Sequence, residues 1–313
     1  MVWIFLIIGA VAVTGIYMIS WSGRMMPGQA EVREAQAADG GKILKIGDFH
    51  IWTKCIGQET EEMPIVFIPG GMGLKSAYLE DGFRELRDTN PLIFYDPRGC
   101  GRSESKKELT HYQWKKFSEE LYEIINQLSP DRKVILAAHS CGCAILYEFL
   151  RRHRDMVEKV ILLSCMPLKY EAEMPNPLEL IRHFPPKDPG KANRWFASYA
   201  KSKVLFGNMF AEKQKLEEFD TESMSMVMCT NINLKINKPY DYSGEFKDYN
   251  RPVLIMCGND KWESVSTNRR CAGLLKQEFP DAKTSFLENS GHFFFTEEKE
   301  ETIARVRAFV TEK

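Results

Sequence analysis

Three patches of this 313-residue chain place small residues beside a group able to attack, to bind an anion or to move a proton. The first is Ala138-His139-Ser140-Cys141-Gly142, between the apolar run Val134-Ile135-Leu136-Ala137 and a helix-like stretch from Gly142 to about Arg152. Small residues on either side of a serine permit the tight strand-to-helix turn that exposes a hydroxyl as a nucleophile; the usual spacing is G-x-S-x-G. Here Ala138 replaces the first glycine, adding one methyl. A plainer role for Ser140 is a helix N-cap. His139 reads as a core histidine, because the second position of such a turn has no required chemistry.

A serine hydroxyl needs a base, and the base needs an orienting acid. For a nucleophile on this kind of turn the chain order is Ser, then Asp or Glu, then His. Of six histidines, only His292, in Asn289-Ser290-Gly291-His292, follows a late strand-like run. The acid belongs after the run Val253-Leu254-Ile255-Met256, which makes Asp260 in Cys257-Gly258-Asn259-Asp260 the first choice. Glu263 in the same loop is second, and Asp241 and Asp248 precede the strand. Asp260 as a turn-former or helix cap is the competing reading. The third patch, Pro69-Gly70-Gly71-Met72-Gly73, supplies backbone N–H groups for a developing oxyanion, assigned to Gly71 and Cys141, with Gly70 beside the substrate. A phosphate loop needs G-K-[ST] after its glycines, whereas Leu74 separates Gly73 from Lys75-Ser76.

These patches sit where strands end. Residues 42–46 and 49–56 read as a hairpin across Gly47-Asp48. Apolar runs at 64–68, 92–95, 134–138, 160–163, 253–257 and 283–287 alternate with helical patterns at 76–87, 111–128, 142–152, 264–278 and 296–311. Strands apolar throughout imply a parallel sheet covered on both faces, with function at the carboxyl ends. The alternation stops over residues 166–250, too long for a bare loop, which read as a helical cap inserted between 42–165 and 251–313. Trp195, Phe196 and Met228 are its candidate substrate contacts, in an apolar, adaptable pocket; cap core is the bland alternative.

Residues 2–21 carry no charge and are long enough as a helix to cross a bilayer. They predict a single-pass anchor at 1–22, a linker at 23–41 and a membrane location; a cleaved signal peptide is the alternative. Arg24 and Arg33 follow the segment and no basic residue precedes it, which favours a cytoplasmic catalytic domain. A net charge of −1 removes the electrostatic case for nucleic acid as a partner. Eight cysteines without a C-x-x-C pair point to buried thiols in a reducing compartment and to no metal site.

PGGMG, YDPRGCGRS at 95–103, AHSCGCA, GND and SGHFFF together resemble the α/β-hydrolases in order and spacing. YDPRGCGRS is similar to the D-x-R-G-x-G-x-S signature of proline iminopeptidases. The resemblance implies an α/β fold: a mostly parallel eight-stranded sheet with helices on both faces and an inserted helical cap. It also implies a Ser140–His292–Asp260 triad without metal or cofactor. Three departures stand out: Pro69 where the family commonly has His, Ala138 for Gly, and a loop before Asp260 one residue short. Glu171, Glu173 and Glu179, or Glu217, Glu218 and Glu222, are candidate ligands for a substrate amine, or else a solvated face. The expected activity is a membrane-anchored serine hydrolase acting on a small molecule or short peptide, as an aminopeptidase. The alternatives are a carboxylesterase or lipid hydrolase, and an inactive binding protein on the same fold. The oligomeric state is left open.

Overall fold

Along each central strand the side chains alternate between two apolar layers. Val66 and Ile68 face one layer with Ile93, Tyr95, Leu136, Ala138, Val160, Leu162, Ile255 and Cys257. Ile65 and Phe67 face the other with Leu92, Phe94, Ile135, Ala137, Ile161, Leu163, Leu254 and Met256. With both faces buried, the central stretch of each of these strands is apolar on both sides, which is why they read as unbroken runs.

The structure, a computed structural model, describes residues 40–57, 60–71, 73–106, 109–170, 207–220, 240–262 and 268–312. Strands β1 (Lys42–Ile46) and β2 (Phe49–Ile56) form the expected antiparallel hairpin, with Ile46 opposite Phe49. Then follow β3 (Ile65–Ile68), α1 (Ala77–Phe83), β4 (Leu92–Tyr95), α2 (Trp114–Leu128), β5 (Val134–His139), α3 (Gly142–His153) and β6 (Val157–Leu163). The insertion contributes β7 (Lys169–Tyr170), α4 (Lys213–Glu218) and β8 (Tyr240–Asp241). The chain closes with β9 (Val253–Cys257), α5 (Asn268–Glu278), β10 (Lys283–Phe286), α6 (Phe294–Glu297) and α7 (Lys299–Thr311). The eight-stranded sheet runs β1-β2-β4-β3-β5-β6-β9-β10 and is parallel from β4 to β10.

Two expected helices are divided. The pattern over 76–87 becomes α1 and a 3-10 turn over Arg84–Asp88, just after Gly82, whose glycine backbone weakens the last α turn. The pattern over 296–311 breaks at Glu298, whose carboxylate turns back to the Ser290 hydroxyl and the Asn289 N–H. The insertion holds an antiparallel ribbon, with Lys169 opposite Asp241 and Tyr170 opposite Tyr240. Strands of two residues carry no periodicity for a sequence to reveal.

Trp195, Phe196, Met228 and Glu263 lie outside the described residues, as do the anchor and all but the end of the linker. Among the described residues no helix is long and apolar enough to cross a membrane, and no three acidic, His or Cys groups are placed to hold a metal ion. The seven described cysteines form no disulfide.

Candidate active site

Ser140 has φ +53°, a left-handed backbone that a residue with a side chain rarely adopts. The strain is held from both sides. Its N–H donates to the Leu163 carbonyl at 2.9 Å, and its own carbonyl accepts the Cys143 N–H at 3.0 Å. A side chain on Gly142 would come within 2.7 Å of the Ile68 and Pro69 carbonyl oxygens, so the second glycine of the motif lets α3 pack against the end of β3. Ala138 needs no such freedom: it is fully buried opposite Ile68 and its methyl joins the core.

Gly70 and Gly71 end β3 beside this turn. A side chain on Gly70 would collide with the His139 carbonyl and fall 2.7 Å from the Ser140 β-carbon. Gly71 takes φ +55°. Asp96 holds the far end of the same loop. Its fully buried carboxylate accepts the Ser76 N–H at 2.7 Å and the Ser76 hydroxyl at 2.8 Å. It also pairs with the Arg102 Nε at 2.7 Å, and the Arg102 guanidinium lies 3.1 Å over the Trp52 ring. Thus the YDPRGCGRS patch sets where the glycine loop turns into α1; its charged groups are consumed in buried pairs, Asp96 with Arg102 and Arg98 with Glu120.

His292 lies in the loop after β10, and Asp260 follows β9. The two loops are fused: the Asn259 N–H donates to the Ser290 carbonyl at 2.8 Å, and a side chain on Gly258 would strike the Gly291 carbonyl. Asp260 accepts the Arg269 N–H at 3.0 Å at the start of α5. The His292 N–H donates to the Met209 carbonyl at 2.8 Å, which ties the insertion to the His292 loop. Glu297 reinforces the tie by accepting the Gly291 and Glu212 N–H groups, each at 2.7 Å; burial pushes this carboxyl up. The two rival acids that precede β9 lie elsewhere. Asp248 pairs with Arg154 at the amino end of β6, and Asp241 caps Ser243 on the ribbon.

Sequence reasoning missed a hydrogen-bonded chain under these loops. The Gly70 N–H donates to the Tyr78 hydroxyl at 2.8 Å, and that oxygen lies 3.0 Å from His139 Nδ1. His139 Nε2 lies 3.3 Å from the His292 carbonyl oxygen, which also accepts the Ser164 hydroxyl at 2.9 Å. Burial, with His292 nearby, holds the His139 imidazole well below its ordinary value, and burial pushes the Tyr78 hydroxyl well up. His139 is therefore the core histidine expected, and it also joins two loops. Tyr78 gave no signal beyond an apolar position in a short helix. Phe219 and Phe210 of the insertion pack on Phe293, with ring centroids 4.6 and 4.7 Å away. Glu217 and Glu218 are exposed on α4.

The family model of the alpha/beta hydrolase fold matches residues 63–299. A proline iminopeptidase of Heyndrickxia coagulans is 25% identical over 269 residues, covering 79% of this chain and 90% of the relative. One from Saccharolobus solfataricus is 22% identical over 237 residues, 70% of this chain and 75% of that protein. Among solved structures, a putative aryl esterase from Burkholderia cenocepacia superposes with a TM-score of 0.67 at 19% identity, over 86% of this chain and 97% of that one. An esterase from Exiguobacterium antarcticum gives 0.63 at 19% identity, over 87% and 100%.

Proposed function

This chain belongs to the alpha/beta hydrolase fold family and is a hydrolase, and we propose that it cleaves an amide or ester by acyl transfer through Ser140, His292 and Asp260. The observation that carries the reading is Ser140 in a left-handed turn at the carboxyl end of β5, flanked by the loops of Gly71 and His292. The Ser140 hydroxyl attacks the carbonyl carbon, and His292 takes its proton. The N–H groups of Gly71 and Cys141 hold the oxyanion. Collapse of the tetrahedral intermediate expels the leaving group, which receives the proton from His292. Water, deprotonated by His292, then attacks the acyl-enzyme, and His292 returns the proton to the Ser140 oxygen as the acid leaves. Asp260 fixes the imidazole tautomer and stabilises the imidazolium. Ser140→Ala is expected to abolish turnover; full activity in a clean preparation sinks the mechanism.

Within this chemistry the reading is a proline iminopeptidase-like aminopeptidase that takes short peptides, supported by the YDPRGCGRS patch and the iminopeptidase relatives. A carboxylesterase or lipid hydrolase is the second reading. It is favoured by the apolar character of the insertion where it meets the His292 loop, with Phe210 and Phe219 packed on Phe293. Turnover of prolyl arylamides against acyl nitrophenyl esters separates the two. Residues 2–21 would hold the enzyme at a bilayer, with the catalytic domain on the cytoplasmic side. Retention of the full chain, but not of residues 40–313, in carbonate-washed membranes tests the anchor.

A further inference from the structure

We infer that Tyr78 and His139 are positioning residues for the acyl transfer, a one-way hydrogen-bond relay that locks the oxyanion loop to the loop of the base. The inference rests on the Ser140–His292–Asp260 reading and goes beyond it, since neither residue belongs to that triad or to its oxyanion donors.

The relay has a fixed polarity. At one end is a backbone N–H, that of Gly70, which only donates; at the other is the His292 carbonyl, which only accepts. His139 must therefore carry its proton on Nε2 to meet that carbonyl at 3.3 Å. A neutral imidazole then has only a lone pair on Nδ1, so the Tyr78 hydroxyl donates to it at 3.0 Å. The tyrosine oxygen in turn accepts the Gly70 N–H at 2.8 Å. No member can reverse without leaving a buried polar group unpaired.

Three loops are joined by this chain: the ends of β3 and β5 and the loop after β10. Two consequences follow for the chemistry. Because Tyr78 occupies the Gly70 N–H, the donor turned toward the substrate is the next one, on Gly71. The carbonyl of His292 is held by both His139 and Ser164, so the backbone that carries the base is fixed relative to the nucleophile's own turn. The Tyr78 ring is clamped by Phe219, Phe293 and Phe295, with centroids 5.9, 5.9 and 6.0 Å away. A site that asked only for packing would be served by phenylalanine, without the cost of burying a hydroxyl.

The test measures Tyr78→Phe beside the wild-type full chain. Steady-state rates on the best substrate are read together with the rate at which a fluorophosphonate modifies Ser140, located by mass spectrometry. A relay predicts kcat and the modification rate both lower by tenfold or more, with KM within twofold. A smaller fall, or a change confined to KM or thermal stability, overturns it. Absence of wild-type modification at Ser140 overturns the hydrolase mechanism and the relay with it; modification of both proteins at equal rates overturns the relay alone. Nitrogen-15 spectra of the wild-type histidines, with His139 assigned through His139→Gln, need no folded Tyr78 variant. They are expected to show a neutral His139 ring protonated on Nε2, and the other tautomer or a cation at pH 7 overturns the proposal.

Discussion

Gly258 lies against the carbonyl group of Gly291 so closely that a single added methyl would overlap its oxygen. Neither partner can yield cheaply. The Asn259 N–H is bonded to the Ser290 carbonyl at 2.8 Å, and a side chain on Gly291 would meet the Met209 carbonyl on the other side. The loops of Asp260 and His292 are thus set by backbone contact before any side chain acts.

Gly258→Ala is expected to separate those loops. A displacement of about 1 Å in a catalytic group costs on the order of 100-fold in rate. The variant should therefore lose about that much kcat, with stability lower by about 2–4 kcal/mol from the forced overlap. Gly273→Ala on α5 is the control, because its added methyl meets nothing within 4 Å. It should raise stability by up to about 1 kcal/mol through helix propensity alone. Urea denaturation and initial rates on both variants check the pair; equal behaviour refutes the contact argument.

The choice of acid has a direct test. Asp260→Asn keeps the shape and removes the charge; for the acid of a serine triad such a change lowers kcat by about 10⁴-fold. The expected result is a loss of 10³-fold or more, flat in KM. A loss under about tenfold transfers the role to Glu263, whose own Gln variant would then carry the large effect.

The layout was legible because the physics is local. A strand buried on both faces is apolar along its central stretch, so the cores of β3 to β6 and β9 stand out as runs. The tight turn at Ser140 was legible from the small residues around it, and the placement of Asp260 and His292 in the loops after β9 and β10 from the strand pattern. Asp241 and Asp248 were not separable from Asp260 by type. Only the fold puts one on a ribbon and the other at the amino end of β6. Tyr78 was invisible for a related reason. Its partners Gly70 and His139 are brought together by β3 pairing with β5, a contact across 61 residues for the longer link. Asp96 was visible as part of a family patch, yet its work, holding Ser76 and Arg102, shows only in three dimensions.

Lys159 illustrates a burial the sequence did not flag. It sits mid-strand in β6 and is buried, and its ammonium donates to the carbonyls of Phe309, Val310 and Glu312 at the end of α7. There it satisfies carbonyls left over at a helix end and meets the negative end of the dipole. Lys159→Met keeps the stem and orphans those oxygens. It is expected to lower stability by about 2 kcal/mol in urea denaturation, with activity per folded molecule unchanged. An unchanged midpoint would show that water replaces the ammonium.

His139 gives the pH dependence its sign. Burial holds its imidazole neutral well below the ordinary histidine value, whereas the unfolded chain takes up a proton near pH 6.5. Above that pH both states are neutral at this position, and the stability associated with it is fully present. As pH falls below about 6.5, the unfolded chain binds a proton that the folded chain refuses, so stability drops. The slope approaches about 1.4 kcal/mol per pH unit well below 6.5 and persists until the folded imidazole itself titrates. His139→Gln removes this titrating group. Denaturant midpoints between pH 7.5 and 5 should therefore fall more steeply in the wild type than in the variant, by about one proton's worth. Parallel curves would mean that His139 takes up its proton in the folded state too, and that its Nδ1 is no longer free to accept from Tyr78.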